Sequence, residues 1–226
     1  MCEESRLNDR DFEISVSLET FSVPNPGCIL IKDLCLPDEL QGKSILDIGG
    51  GASDMTALLL ELGADAFAID PRYDESWNSL AREAQVDAVN CVGMSECDLR
   101  EYRRVAQCFV VSAEQAPDRY VTAFATKLPF PDEQFDIVCS VYCLTSFLSY
   151  RRSIFLQAMN EALRVAKPTG TLHLYPFGDW NEEPKDIRPS IIQSVFAELK
   201  TQGHVQSVAY APIKELTEAV IITKGG

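Results

Sequence analysis

From Ser44 onward, short apolar runs alternate with amphipathic stretches, and this alternation predicts the architecture. "SILDI" (44–48) has the length and composition of a buried strand. "SDMTALLLEL" then puts Met55, Leu58, Leu59 and Leu62 on one helical face, with Ser53 as N-cap and Gly63 as the left-handed stop. "DAFAID" (65–70) reads as a second strand, so the unit is a parallel pair joined by a right-handed crossover. Trp77, Leu80, Ala81, Ala84 and Ala88 recur at helical spacing. Leu99, Tyr102, Ala106, Phe109 and Val110 line a further helix over 95–110, where Ser95 and Asp98 have capping-box spacing. Strands are predicted at 120–126 ("YVTAFAT") and 135–141 ("FDIVCSV"). A helix over 150–166 ends before Pro168, in a Lys167-Pro168-Thr169-Gly170 sequence suited to a type I turn. A strand at 170–177, a helix at 188–203 and strands at 204–211 and 218–225 complete the pattern.

Strands that alternate with helices predict a three-layer α/β/α sandwich around a mostly parallel seven-stranded sheet. Ligands of such sheets bind at the C-terminal strand ends, near the switch in strand order. The glycines after the first strand, Asp70, the segment after Thr122 and the segment after Ser140 should therefore converge. Residues 44–226 read as one domain, with a helical insertion around 92–115 where the stretch from Asp70 to Leu128 exceeds one crossover helix. That insertion is either a wall over the substrate or a surface ornament. Residues 1–43 read as an irregular N-terminal segment and a second candidate lid. Within it, "CILIKDLCL" is a helix or a strand, and periodicity does not decide.

Composition narrows the function classes. The 226 residues are 46% hydrophobic and 24% charged, ordinary for a globular chain. A net charge of -14 opposes phosphate backbones and anionic membranes, so neither a nucleic acid nor a membrane is an expected partner. The polar N-terminus shows no signal-peptide pattern, and the cytosol is the default compartment. Eight cysteines include no C-x-x-C pair, and there are only two histidines, so no zinc spacing exists. The cysteines are expected to be buried, reduced thiols. Asp136 begins rather than ends its strand, so no metal site is predicted.

The chemistry-bearing stretch is "ILDIGGGASDMTALLLELGADAFAIDPR", residues 45–72. It lacks the Lys-Ser/Thr pair of a phosphate-binding P-loop. Gly49 and Gly51 match the first two glycines of a dinucleotide loop, but Asp54 stands at the third, where a carboxylate competes with a pyrophosphate for the helix amides. A phosphate-free, sulfonium-bearing nucleoside, S-adenosylmethionine, fits better. Asp47 suits its cationic end, glycines admit close backbone approach, and Asp70 can accept from both ribose hydroxyls.

Four blocks in order carry a resemblance to class I S-adenosylmethionine-dependent methyltransferases of the small-molecule type. They are "LDIGGGAS", "AIDPR", "LPFPDEQFDIVCS" and "EALRVAKPTGTLHL", spanning 45 to about 176. The resemblance implies that Asp47, Gly49, Gly50, Gly51 and Ser53 hold the methionine end and Asp70 the ribose. Pro71 and Arg72 would flank the adenosine, Ala125 and Thr126 meet the adenine edge, and Ser140 and Val141 close the sulfonium side. Tyr142 and Tyr175 are candidates for touching substrate or for packing. No catalytic base is named, and the acceptor atom (O, N or C) and oligomeric state are left open. Phe124 stands where this family often has an aspartate for the adenine amino group. That departure motivates a second reading, a weak or inactive relative with a regulatory or partner-binding role. A protein or RNA methyltransferase is a third. His173, in mid-strand, is expected to be a hydrogen-bonded core residue rather than a base, and Asp54 a favourable charge at a helix start.

Overall fold

The computed structural model describes residues 27–92, 96–177, 188–214 and 217–225. In chain order its elements are α1 (Gly27–Asp33), β1 (Ser44–Ile48), α2 (Met55–Glu61), β2 (Asp65–Asp70), α3 (Trp77–Val92), α4 (Glu96–Gln115) and β3 (Tyr120–Thr122). There follow β4 (Phe135–Val141), a π-helical segment (Cys143–Leu148), α5 (Arg152–Val165), β5 (Ala166–Phe177), α6 (Arg188–Thr201), β6 (Val205–Lys214) and β7 (Thr217–Lys224). The strands form one seven-stranded sheet in the order β3-β2-β1-β4-β5-β7-β6. Pairing is parallel from β3 through β5 and antiparallel on both sides of β7. The sheet is thus mostly parallel, with β7 alone running against the others. The order reverses between β1 and β4, both of which end at the glycine turn and the π-helical segment.

Alternation along each strand divides the core between the two faces. Leu46, Ile48, Val138, Leu172 and Leu174 meet Phe155, Met159, Leu163, Val195 and Phe196 of α5 and α6 on one side. Ile45, Ile137, Cys139 and Tyr175 meet Leu30 of α1, Leu34 just beyond it, and Met55 and Leu59 of α2 on the other. Each large apolar side chain so buried contributes about 1.5–3 kcal/mol. The ambiguous "CILIKDLCL" is helical at its start, because Leu30 and Leu34, four apart, both reach that second cluster. Within the insertion, α4 is packed against the domain. Val105, Ala106, Phe109 and Ala113 of α4 are fully buried, and Phe109 sits among Tyr73, Trp77 and Tyr120.

Three local expectations are corrected. The N-cap of α2 is Asp54, one residue later than Ser53; Ser53 Oγ still accepts the Met55 N–H at 3.1 Å. The third strand is shorter, because the chain turns after Thr122 and Phe124 bridges back to Lys127. Residues 167–170 form an excursion inside β5, since Phe135 pairs with Ala166 and Ile137 with Thr171. Gly170 is needed there, as a Cβ would lie 2.9 Å from the Lys167 carbonyl oxygen. The capping pair Ser95 and Asp98 and most of the N-terminal lid lie outside the described residues and side chains. Cys28 is exposed rather than buried, while Cys139 is buried as expected. Among the described residues no helix is long and apolar enough to cross a membrane, and no three metal-ligating side chains gather.

Candidate functional site

The site begins where β1 stops. Gly49 has φ +79 and Gly51 φ +51, so the chain turns back on itself at once. The N–H groups of Gly49 and Gly50 both donate to the Ile69 carbonyl, at 2.8 and 3.1 Å, which ties the turn to β2. A Cβ on Gly49 would overlap Cβ and Sγ of Cys143, so a side chain is excluded there by space as well as by dihedral. Tyr73 Oη donates to the Gly51 carbonyl at 3.0 Å and would lie 2.7 Å from a Cβ on Gly50. Tyr73 is thus a brace for the loop that sequence reading missed. Its one signal was an aromatic residue three places beyond Asp70.

Asp70 closes β2 with both carboxylate oxygens engaged by backbone. Oδ2 accepts from Gly51 N–H at 3.2 Å and Oδ1 from Arg72 N–H at 2.9 Å. Burial raises its pKa, and those two hydrogen bonds pull it back. Each oxygen keeps a further lone pair for a hydroxyl donor. Asp47 is 3% exposed, and its pKa is raised from 3.8 to about 7, first by burial and then by the negative charge of Asp70. No hydrogen bond or cation among the described residues offsets that rise. A cation brought by a ligand would do so.

The third side of the site follows β4. Ser140 is fully buried; its hydroxyl donates to the Ile48 carbonyl at 3.0 Å and accepts Leu144 N–H at 3.2 Å. It braces β1 against the π-helical segment, leaving its side chain committed. Val141 is half-buried against the α1 cluster. Tyr142 then takes φ +63 and ψ -36, a conformation unusual for a bulky residue. It is held there by its N–H on the Tyr175 carbonyl (2.7 Å) and by Ser146 N–H on its own carbonyl (2.8 Å). The Tyr142 and Tyr175 rings meet edge to face at 6.2 Å. The Tyr142 phenol is pushed up to about 12 by burial, with Tyr175, Tyr102 and Asp33 adding to it. The Cys143 thiol is also pushed up to about 12, by burial and by Asp70 and Asp47.

Other predicted positions fall around this centre unevenly. Ala123 N–H reaches the Asp70 carbonyl at 3.4 Å, so the turn holding buried Ala125 stands beside Asp70. The carbonyl of Thr126 accepts from Gln157 Nε2 at 3.1 Å. Thr126 also lines an open groove of about 730 Å³ with Arg151, Arg152, Leu156 and Glu161, which contains no glycine-loop residue. Charge and backbone strain mark the site. Pro71 is half-buried at the turn after β2. The Arg72 guanidinium is held by Glu75 and Glu83, so its amide, not its side chain, is what meets Asp70. Phe124 is 60% exposed.

His173 is buried, with Nδ1 on the Leu34 carbonyl (2.8 Å) and Nε2 on Thr171 Oγ1 (2.9 Å). Burial lowers its pKa, as for a core residue that stays neutral. Asp54 does more than sit at a helix start: its carboxylate accepts Gly27 N–H (2.5 Å) and pairs with Arg104 (3.3 Å), joining α1, α2 and α4. Asp136 is spent on Ser44 and Lys167.

Five adjacent parallel strands, a glycine turn after the first and a carboxylate closing the second define a nucleoside-binding domain of the class I methyltransferase type. Residues 46–174, more than half the chain, match the methyltransferase domain family, and the chain belongs to it. The ubiquinone/menaquinone biosynthesis C-methyltransferase of Vibrio parahaemolyticus is 27% identical over 144 residues, 63% of this chain and 44% of that protein. Its counterpart in Vibrio vulnificus is 28% identical over 137 residues, 60% and 42% of the respective chains. The chain thus spans less than half the length of these curated relatives. Among solved structures, the fold is shared with the PH0226 protein of Pyrococcus horikoshii (TM-score 0.52, 16% identity, 87% of this chain and 86% of that one). It is shared also with mitomycin 7-O-methyltransferase (TM-score 0.51, 15% identity, 85% and 52%). The cofactor of the family is S-adenosylmethionine. The residues present fit it: an uncompensated buried carboxylate for a cation, a braced carboxylate with spare lone pairs for hydroxyls, and a turn with no room for side chains between them.

Proposed function

We propose that the protein transfers a methyl group from S-adenosylmethionine to an O, N or C atom of a small molecule. The observation that carries this reading is the position of Asp47, the Gly49–Gly51 turn and Asp70 at the ends of β1 and β2, with Cys143, just after β4, packed against the turn. Asp47 and the turn would hold the amino-acid end, and Asp70 the ribose hydroxyls. The Ala125–Thr126 turn would border the adenine. Val141 and the backbone at Ser140 would close the sulfonium side. When bound, the cofactor supplies an electrophilic methyl whose bond to sulfur breaks with the electron pair returning to sulfur.

With so good a leaving group, positioning and exclusion of water can supply much of the rate. Among the described residues, Asp54, Asp136 and His173 are spent on structure, and the acceptor molecule would lose its proton to solvent. The curated relatives are C-methyltransferases by name, which favours a carbon acceptor. Cytosolic residence and a small acceptor suit a chain of net charge -14. α4 and the N-terminal segment would wall the acceptor side.

Isothermal titration with S-adenosylmethionine and S-adenosylhomocysteine tests the cofactor reading. Both should bind, and Asp70→Ala should weaken both at least tenfold. Failure of the wild-type protein to bind either would sink the proposal. Binding without turnover on a broad panel of small acceptors would favour the regulatory alternative.

A further inference from the structure

We propose that Ser140 and Cys143 are positioning residues for the cofactor. From the end of β4 they clamp the glycine turn, and with it they fix the place of the Asp47 carboxylate. The inference rests on the methyltransferase reading above and deepens it, by naming side chains outside the turn that set the affinity of the site.

After β4 the chain folds back onto the end of β1. Tyr142, the first residue beyond the strand, takes φ +63 and turns the chain there. Strain of this kind persists where surrounding structure over-determines it. Here the Tyr142 N–H donates to the Tyr175 carbonyl at 2.7 Å, and the Tyr142 carbonyl accepts the Ser146 N–H at 2.8 Å. Cys143 is thereby laid against Gly49. A Cβ on Gly49 would stand 2.3 Å from the Cys143 Cβ and 2.8 Å from its Sγ. Ser140 supplies the second contact. The pairing of β1 with β4 runs as far as Asp47 and Cys139. One residue further on, the Ser140 hydroxyl donates to the Ile48 carbonyl at 3.0 Å and accepts the Leu144 N–H at 3.2 Å. A single buried hydroxyl thus ties the last residue of β1 to the start of the π-helical segment.

The turn is therefore held from three sides. β2 holds it through the Ile69 carbonyl, Tyr73 through the Gly51 carbonyl, and the β4 end through Ile48 and Gly49. What the clamp governs is the carboxylate beside it. Asp47 is 3% exposed and has no hydrogen bond of its own among the described residues. Its Oδ2 lies 3.1 Å from where a Cβ on Gly50 would stand, so the carboxylate is placed by the backbone of β1 and the turn alone. A shift of that backbone moves the carboxylate away from a bound cation, and small misplacements of this kind cost much in a preorganised site. Cys143 is only half-buried. A larger side chain there presses on the turn while the core keeps its packing.

Calorimetric titration of the full chain with S-adenosylhomocysteine, read beside thermal melts of the same variants, tests the inference. Cys143→Ser keeps the side-chain shape and should bind within about twofold of wild type. Cys143→Leu should bind about tenfold more weakly. Ser140→Ala leaves the Ile48 carbonyl and the Leu144 N–H without their partner and should lose about tenfold as well. Val195→Ala, at a fully buried position of α6, shows what lost stability does by itself: its melting temperature should fall while affinity stays within about twofold. Gly49→Ala should cost about tenfold less affinity in a Cys143→Gly background than alone, because the overlapping Cβ and Sγ are gone. Undiminished affinity in either Cys143→Leu or Ser140→Ala, an equal loss in Val195→Ala, or a Gly49→Ala cost unchanged by Cys143→Gly would overturn the clamp. If Ser140→Ala does not fold, Cys143→Leu and the paired substitutions decide. If the wild-type protein fails to bind S-adenosylhomocysteine, the methyltransferase reading falls. The coupling of residues 49 and 143 is still read in the melts, so the two failures are told apart.

Discussion

Asp47→Asn is the substitution that separates binding from stability most sharply. The Asp47 carboxyl is raised from 3.8 to about 7 by burial and by Asp70. A carboxyl raised in the folded state is neutral there while still ionised in the unfolded chain. Its penalty is absent below the unfolded value near 4, grows as pH rises towards 7, and is constant above. At pH 8 the difference amounts to about 4 kcal/mol, from 1.36 kcal/mol per tenfold in proton affinity. At pH 5 it is about 2 kcal/mol, and below pH 4 it vanishes. An asparagine carries no such penalty, so relative to wild type Asp47→Asn should gain about 4 kcal/mol between pH 4 and pH 8. The new amide must find hydrogen bonds in a pocket 3% exposed, a pH-independent cost of about 2 kcal/mol, so the variant should be less stable than wild type near pH 4 and more stable by about 2 kcal/mol at pH 8. The same variant should bind S-adenosylmethionine at least tenfold more weakly, because the carboxylate that answers its cationic end is gone. Urea unfolding at pH 8, 5 and 4, with titration of the cofactor at pH 8, measures both. A stability difference that does not grow between pH 4 and pH 8, or undiminished cofactor affinity, would refute the reasoning.

Further outcomes follow from the same geometry. Gly49→Ala should cost about 3 kcal/mol or more and abolish cofactor binding, because φ +79 and the Cys143 side chain both exclude a Cβ; thermal melts and titration check it. Tyr73→Phe removes the brace on the Gly51 carbonyl, costing about 1 kcal/mol in unfolding experiments and several-fold in cofactor affinity. Asp136 is held down to about 2 chiefly by the Lys167 ammonium and the Ser44 hydrogen bonds against its desolvation. Its contribution is therefore full above pH 4 and lost as pH falls towards 2. Asp136→Asn should lose about 1 kcal/mol at pH 7, discounted for partial exposure, and nothing at pH 2. Phe124→Asp should tighten S-adenosylmethionine several-fold in titration by supplying an acceptor for the adenine amino group; no change would place the adenine elsewhere.

Much of this molecule is local in origin and was legible residue by residue. The strands at 44–48, 65–70 and 135–141 emerged with the expected bounds, because each is an apolar run closed by a turn signal. Gly63 adopted its positive φ, since a helix stop needs a residue without Cβ. The glycine turn after β1 and the acid that closes β2 were legible for the same reason, since each ends a strand and the two strands are joined by a single helix. What failed locally failed where several elements compete. Periodicity left 28–36 undecided until Leu30 and Leu34 found a shared cluster.

The sequence by itself determined the alternation of elements, the parallel character of most of the sheet, and the residues that turn and close β1 and β2. Those follow from backbone preferences and from the two periods of side-chain direction. Only the tertiary structure decided what each polar group does. Asp54 and Gly27 are 27 residues apart, His173 and Leu34 are 139 apart, and Asp54 and Arg104 are 50 apart. No local pattern records such pairings. The same holds for Tyr73 beneath the glycine turn and for Ser140 as a brace. Burial and neighbouring charge, which set whether a carboxyl such as Asp47 is ionised, are properties of the packed assembly.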